Sequence, residues 1–222
     1  MEDGSLMVKI LYEDNHLLVV VKPCNMPVCL DDSGDLDLLT YLKNYLKQKY
    51  NKPGNVYLGL IHRLDRPVSG VMVFAKTSKA ASILSDQVRT NKMNKKYFAV
   101  VCGYLSGNGE FHDKLLKDNR TNMVCVNPNG KDSSLEYNVI DCRNNLSFVD
   151  INLITGRAHQ IRVQFSSRGY PLYGDQRYNR DAHVGEQIAL FSYYLSFYHP
   201  ITHELMVFKE GIPNRKPFSY FI

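Results

Sequence analysis

The chain lacks a CxxC pair. Its five cysteines, Cys24, Cys29, Cys102, Cys125 and Cys142, are scattered and odd in number, so neither a disulfide framework nor a zinc site is indicated. They read as small core residues. His199 and His203 are four apart, but Pro200 and strand-like neighbours argue against a helix there, and no third metal ligand is at hand. No apolar run approaches the roughly 18 residues that a membrane helix needs. The acidic start Met1-Glu2-Asp3-Gly4-Ser5 lacks the basic head and apolar core of a signal peptide. No repeat or low-complexity stretch divides the 222 residues, which suffice for one sizeable core. These absences point to one cytoplasmic domain over residues 1–222, with no membrane partner and no metal.

What the chain does carry is a modest excess of positive charge, +5, unevenly placed. Arg89, Lys92, Lys95 and Lys96 form one basic cluster, and Arg157, Arg162, Arg168, Arg177 and Arg180 a second. Two such clusters suit a groove that tracks phosphates, although solvated surface charge explains either one alone.

Residues 59–76 hold the most informative side chain. Val56–Ile61 and Val71–Ala75 are short, apolar and bounded by Gly or Pro, as buried strands are. Asp65 lies between them at a strand-loop junction. Pro67 fixes one φ and Gly70 permits a backbone state closed to other residues, so the turn is expected to be rigid. A carboxylate on a rigid loop is well placed for chemistry, unless it only pairs with Arg63 or Arg66 or caps the turn.

The remaining pattern predicts strands over Leu6–Leu11 and His16–Lys22. A helix is expected over Leu36–Tyr50 with Asp35 as N-cap, and another from Ser78 to about Asn91 with Ser78 as cap. A buried strand follows over Lys96–Tyr104, then a polar hairpin with long loops over Gly107–Lys131, and strands over Leu135–Asp141 and Leu146–Leu153. Ala158, Ile161 and Phe165 share a helical face, with Thr155 as candidate N-cap. Arg162 then stands at the edge of that face and needs a carboxylate partner, either Asp65 or another nearby acid. Strands over Ile188–Tyr198 and Glu204–Phe208 complete an α/β (α+β) fold with a mixed, mostly antiparallel central sheet and flanking helices.

Three stretches together carry a resemblance. They are His62-Arg63-Leu64-Asp65-Arg66-Pro67-Val68-Ser69-Gly70, then Lys95-Lys96-Tyr97-Phe98-Ala99-Val100-Val101-Cys102-Gly103, then Thr155-Gly156-Arg157-Ala158-His159-Gln160-Ile161-Arg162, continuing to Gly169-Tyr170-Pro171-Leu172-Tyr173-Gly174-Asp175. In order and separation they resemble the RluA family of RNA pseudouridine synthases, as do Leu11-Tyr12-Glu13-Asp14 and Val21-Lys22-Pro23. Val68 and Gln164 depart from the usual pattern, which has Thr and His there in many members.

The resemblance implies the pseudouridine synthase fold and an isomerase that needs no cofactor. It makes Asp65 the catalytic aspartate, Tyr97 the tyrosine that packs on the target base and takes the proton lost from C5, and Arg162 the arginine that pairs with the aspartate. It implies RNA contacts through His62, Arg63, Arg66, Lys95, Lys96, Arg157, His159, Gln160 and Ile161. His62 and His159 are expected to hold loop geometry rather than transfer protons. The partner is then ribosomal or transfer RNA, read by the catalytic domain alone, as a monomer, without the S4-type domain that many members carry. A catalytically silent RNA-binding protein on the same scaffold, or a hydrolase using Asp65 with a second carboxylate, are the competing readings. The first would be marked by loss of Asp65, Tyr97 or Arg162, and all three are present; the second lacks a marked partner acid.

Overall fold

The computed structural model describes residues 8–222. In chain order the elements are β1 (Lys9–Glu13), β2 (Leu17–Lys22), α1 (Leu38–Lys49), β3 (Gly59–Leu60), β4 (Ser69–Ala75), α2 (Ser78–Arg89) and β5 (Asn94–Cys102). They continue with β6 (Asn108–Asp118), β7 (Met123–Val126), β8 (Lys131–Arg143), β9 (Leu146–Leu153), α3 (Gln160–Ser166), β10 (Leu190–Tyr198) and β11 (Leu205–Lys209). The first half of the strand expected over Leu6–Leu11 falls partly outside the described residues. Mixed helices and a mostly antiparallel sheet agree with the expected fold class.

Two compact units emerge, one made of the residues up to Met93 with Leu195–Lys209, the other of Asn94–Tyr194 with Glu210–Ile222. Strand β10 contributes its two halves to the two units.

In the first unit, strands run in the order β1-β2-β4-β10. The β2–β4 register sets Leu17 against Ala75, Val19 against Val73 and Lys22 against Gly70. Every residue of β4 is buried, which explains its unbroken apolar sequence: a strand covered on both faces has no polar side to alternate with. One face of the pair joins Leu17, Val19, Val71 and Val73 to Ala80 and Leu84 of α2 and to Leu195 and Phe197. Helix α2 is capped by Thr77, whose hydroxyl accepts the Ala80 amide, one residue earlier than expected. Helix α1 is capped by Asp37, which accepts the Thr40 amide at 2.9 Å, not by Asp35. Asp35 is engaged by Arg66 instead.

The second unit is an antiparallel sheet with the order β10-β5-β9-β8-β6-β7, in which the β8–β9 and β6–β7 hairpins are set beside β5. The β8–β9 turn places both Asn144 and Asn145 at positive φ, 54° and 57°, the backbone signature of a tight type I′ hairpin, and pairs Arg143 with Leu146. Phe165 of α3 packs edge-on against Phe111 and Tyr137 of the sheet. Helix α3 is shorter than the sequence predicts, beginning at Gln160. Thr155 does not cap it, because its hydroxyl accepts the Ser134 amide and donates to Gln160 Oε1. Six of its seven residues are buried, so Arg162 sits inside the packed face rather than at its edge.

Candidate active site

Within the first unit, the Asp65 loop is tied down from beneath. The Val68 amide donates to the Asp65 carbonyl at 3.0 Å, closing a turn over Arg66 and Pro67. Lys22, wholly buried at the end of β2, donates to the carbonyls of Arg66 at 2.9 Å, Val68 at 2.7 Å and Pro23 at 3.0 Å. Its three donors are thus matched by three acceptors, the condition under which an ammonium can be buried. Burial pulls the Lys22 pKa down to about 8, partly opposed by Cys24 and, to a smaller extent, by Asp65. Lys22 holds the backbone of the turn. In the sequence it stands only inside the Val21-Lys22-Pro23 run, a lone lysine ending an apolar strand just before a proline, with no role attached to it.

His62 Nε2 accepts the Val73 amide at 3.1 Å and so joins the loop to β4, the geometric role expected of it. Arg63 is exposed. Arg66 reaches out to Asp35 and to Asp31.

In the second unit, Tyr97 lies on β5 opposite Ile151 and is 5% exposed. Strand alternation separates the two lysines that the sequence groups together. Lys95 shares a face with Tyr97, while Lys96 is turned the other way with its ammonium over the Tyr194 ring. The Lys95 ammonium reaches Gly156, where a side chain on the glycine would come within 3.3 Å of it. Burial alone lowers the pKa of Lys95.

Arg162 is held by Asp175, the carboxylate supplied by its own unit, through two hydrogen bonds, Nε to Oδ2 at 2.8 Å and Nη2 to Oδ1 at 2.7 Å. The guanidinium also lies 5.1 Å from the centre of the Tyr178 ring, a cation–π contact. His159, at φ 52°, occupies the left-handed region just before α3, and its Nδ1 meets the Tyr178 hydroxyl at 2.7 Å. Arg157 is exposed and donates through Nε to the Asp132 carbonyl.

Gln160 and Ile161 are buried. The Gln160 amide accepts from the Thr155 hydroxyl and the Arg157 amide, and donates to the Ser134 carbonyl and to Gln164. It shapes the loop before α3 and offers no outward donor. Gln164 is equally internal, donating to Asp113 at 2.7 Å. Among the described residues, no group of three metal-ligating side chains occurs, and His199 Nε2 meets the Asp14 carboxylate at 2.8 Å.

Residues 16–167 match the family described as RNA pseudouridylate synthase. The chain is 34% identical, over 96% of its length and 72% of the relative's, to ribosomal large subunit pseudouridine synthase D of Zymomonas mobilis. It is 33% identical to synthase C of Vibrio parahaemolyticus, over 89% of this chain and 63% of that protein. In fold it is similar to human RNA pseudouridylate synthase domain containing 4, with a TM-score of 0.77 and 24% identity over 96% of this chain and 90% of that one. With the family matched across the Asp65, Tyr97 and Arg162 segments and a relative one-third identical along nearly the whole chain, the protein belongs to the RluA-type RNA pseudouridine synthases, isomerases that convert uridine in RNA to pseudouridine.

Proposed function

We propose that this chain isomerises uridines of large-subunit ribosomal RNA, with Asp65, Tyr97 and Arg162 as its catalytic residues. The observation that carries the target class is the likeness, along 96% of the chain, to a relative named for the large ribosomal subunit.

The reaction breaks the N1–C1′ bond, turns the uracil, joins C5 to C1′ and releases the C5 proton. An ionised carboxylate at Asp65 supplies what the first step requires, a nucleophile or a negative charge beside the electron-poor sugar. The closed turn and the Lys22 ammonium beneath it support that role, because they hold the carboxylate's backbone in one place. The cut base must rotate without leaving, and the Tyr97 ring provides a face for it to stack on. The C5 proton leaves through Tyr97 acting as phenolate, and N1, freed from the sugar, takes up a proton in exchange, so the isomerisation is proton-neutral. Arg162 is held in a fixed orientation by its two hydrogen bonds to Asp175, which supports its assignment to the site.

A uridine in a duplex hides its reacting atoms, so it must be extruded at a cost of a few kcal/mol. Phosphate contacts by Arg63, Arg157 and Lys95 offset that cost. The Gln160 side chain is spent on hydrogen bonds within its own unit, which shape the loop carrying Arg157.

Tritium release from ribosomal and transfer RNA labelled at C5 of uridine tests the proposal, comparing the native protein with Asp65→Asn and Asp65→Ala. Release from ribosomal RNA by the native protein alone is expected. Equal release by the variants, or release from transfer RNA only, would overturn it.

A further inference from the structure

We infer that Tyr178 is a positioning residue for the isomerisation, its hydroxyl fixing the tautomer of His159 and its ring steadying the Arg162 guanidinium. The inference rests on the assignment of Arg162 to catalysis.

Tyr178 stands in the segment after α3, where nothing in the sequence marks it. It nonetheless touches that helix along its whole length. Its hydroxyl meets His159 at the start, its ring lies against Arg162 in the middle, and its carbonyl accepts the Ser166 hydroxyl at 2.7 Å at the end. Its own amide leans on Asp175, the same carboxylate that grips Arg162. Half-buried, the ring packs with Leu115, Val124 and Val163.

Proton accounting at the hydroxyl fixes the direction of the His159 bond. The Val124 amide donates to the Tyr178 oxygen at 2.9 Å, so that contact cannot take the phenol proton. The remaining partner is His159 Nδ1 at 2.7 Å. If Nδ1 carried a hydrogen, both partners would donate to the oxygen, and among the described residues no partner would accept the phenol proton. Nδ1 is therefore the acceptor, and the neutral imidazole carries its hydrogen on Nε2. Burial raises the Tyr178 pKa, which keeps the phenol protonated for this role.

The same bond supports an unfavourable backbone. A histidine at φ 52° sits in a region that side chains disfavour, and such residues persist where their surroundings hold them. His159 also lends its carbonyl to the Val163 amide at 3.0 Å, so its placement sets the first turn of α3 and with it the azimuth of Arg162.

Tyr178→Phe removes the hydroxyl and keeps the ring; Tyr178→Leu removes both. Steady-state tritium release and the nitrogen chemical shifts of the His159 ring in the full chain are the readouts, with Arg162→Met as reference. Tyr178→Phe is expected to lower kcat about tenfold with KM within about twofold, and to turn a single His159 tautomer into a mixture. Tyr178→Leu is expected to lower kcat further. Unchanged kcat in Tyr178→Phe, or a loss confined to KM, would overturn the positioning role. An unchanged tautomer would overturn the His159 assignment even if kcat fell. Full activity in Arg162→Met would instead refute the catalytic assignment, which the tautomer readout does not depend on.

Discussion

Arg162 and Asp175 face each other fork to fork, both side chains almost wholly buried and joined by hydrogen bonds of 2.8 and 2.7 Å. Removing one partner strips the other of both fork-to-fork bonds inside the packed unit, and breaking such a buried pair costs about 3–5 kcal/mol. Asp175→Asn is therefore expected to lower unfolding stability by that order, and Arg162→Lys to do so as well, since an ammonium cannot reproduce the two parallel bonds. Urea unfolding measures both. A midpoint equal to the native one in Asp175→Asn would show that the pair does not hold the helix.

Lys22→Met keeps the stem volume and deletes the ammonium. Three carbonyls of and around the Asp65 loop then lose their donor inside the protein, at about 1–3 kcal/mol for each group left without a partner. The expected result is a clear loss of thermal stability together with a lower kcat, because the backbone carrying Asp65 is freed. Native kcat in a folded Lys22→Met protein would count against the staple.

Lys95 and Lys96 adjoin in sequence and face opposite ways on β5. If Lys95 contacts RNA phosphate, Lys95→Met should flatten the dependence of log affinity on log salt by about 0.7, the value for one phosphate contact on a single strand. Lys96→Met should change the slope less. Filter binding of ribosomal RNA fragments across a salt series reads both, and identical slopes for the two variants would disprove the distinction.

Glu13 collects four donors, Lys49 at 2.8 Å, Lys76 at 2.9 Å, Tyr45 at 2.9 Å and Tyr50 at 2.6 Å. Burial pushes its pKa up, but the bonds from Lys49, Tyr50, Lys76 and Tyr45 outweigh it and hold the carboxyl at about 2 against an ordinary 4.5. A depressed folded-state pKa contributes stability that is fully present above the unfolded value and lost as pH falls. Stability should thus drop between about pH 4.5 and pH 2, by up to about 3 kcal/mol from this group. Glu13→Gln should be less stable than the native protein at pH 7 and show a shallower acid loss. Parallel acid profiles for the two proteins would contradict this.

Strands whose residues alternate or run apolar without a break were readable from their neighbours alone, as β4, β5 and β9 show, because side-chain burial there follows the two-residue period of the backbone. Cap positions slipped by one residue at α2, two at α1 and four at α3. At α1, Asp35 and Asp37 are both competent caps; Asp37 accepts the Thr40 amide, while Asp35 pairs with Arg66. At α3, Thr155 has the right chemistry, but strand β8 offered its hydroxyl a partner first.

The order and spacing of the Asp65, Tyr97 and Arg162 segments were determined by the sequence alone, and with them the family, since these are local runs of side chains that need no partner to be recognised. The partners were decided by tertiary structure. That Arg162 is gripped by Asp175, that Lys22 lies under the Asp65 turn, that Gln160 points inward and that Tyr178 joins His159 to Arg162 all depend on which distant segment arrives within about 3 Å, the reach of a hydrogen bond. A buried charge or amide must find its acceptor among whatever the packed chain brings to it, and only the folded chain specifies which one that is.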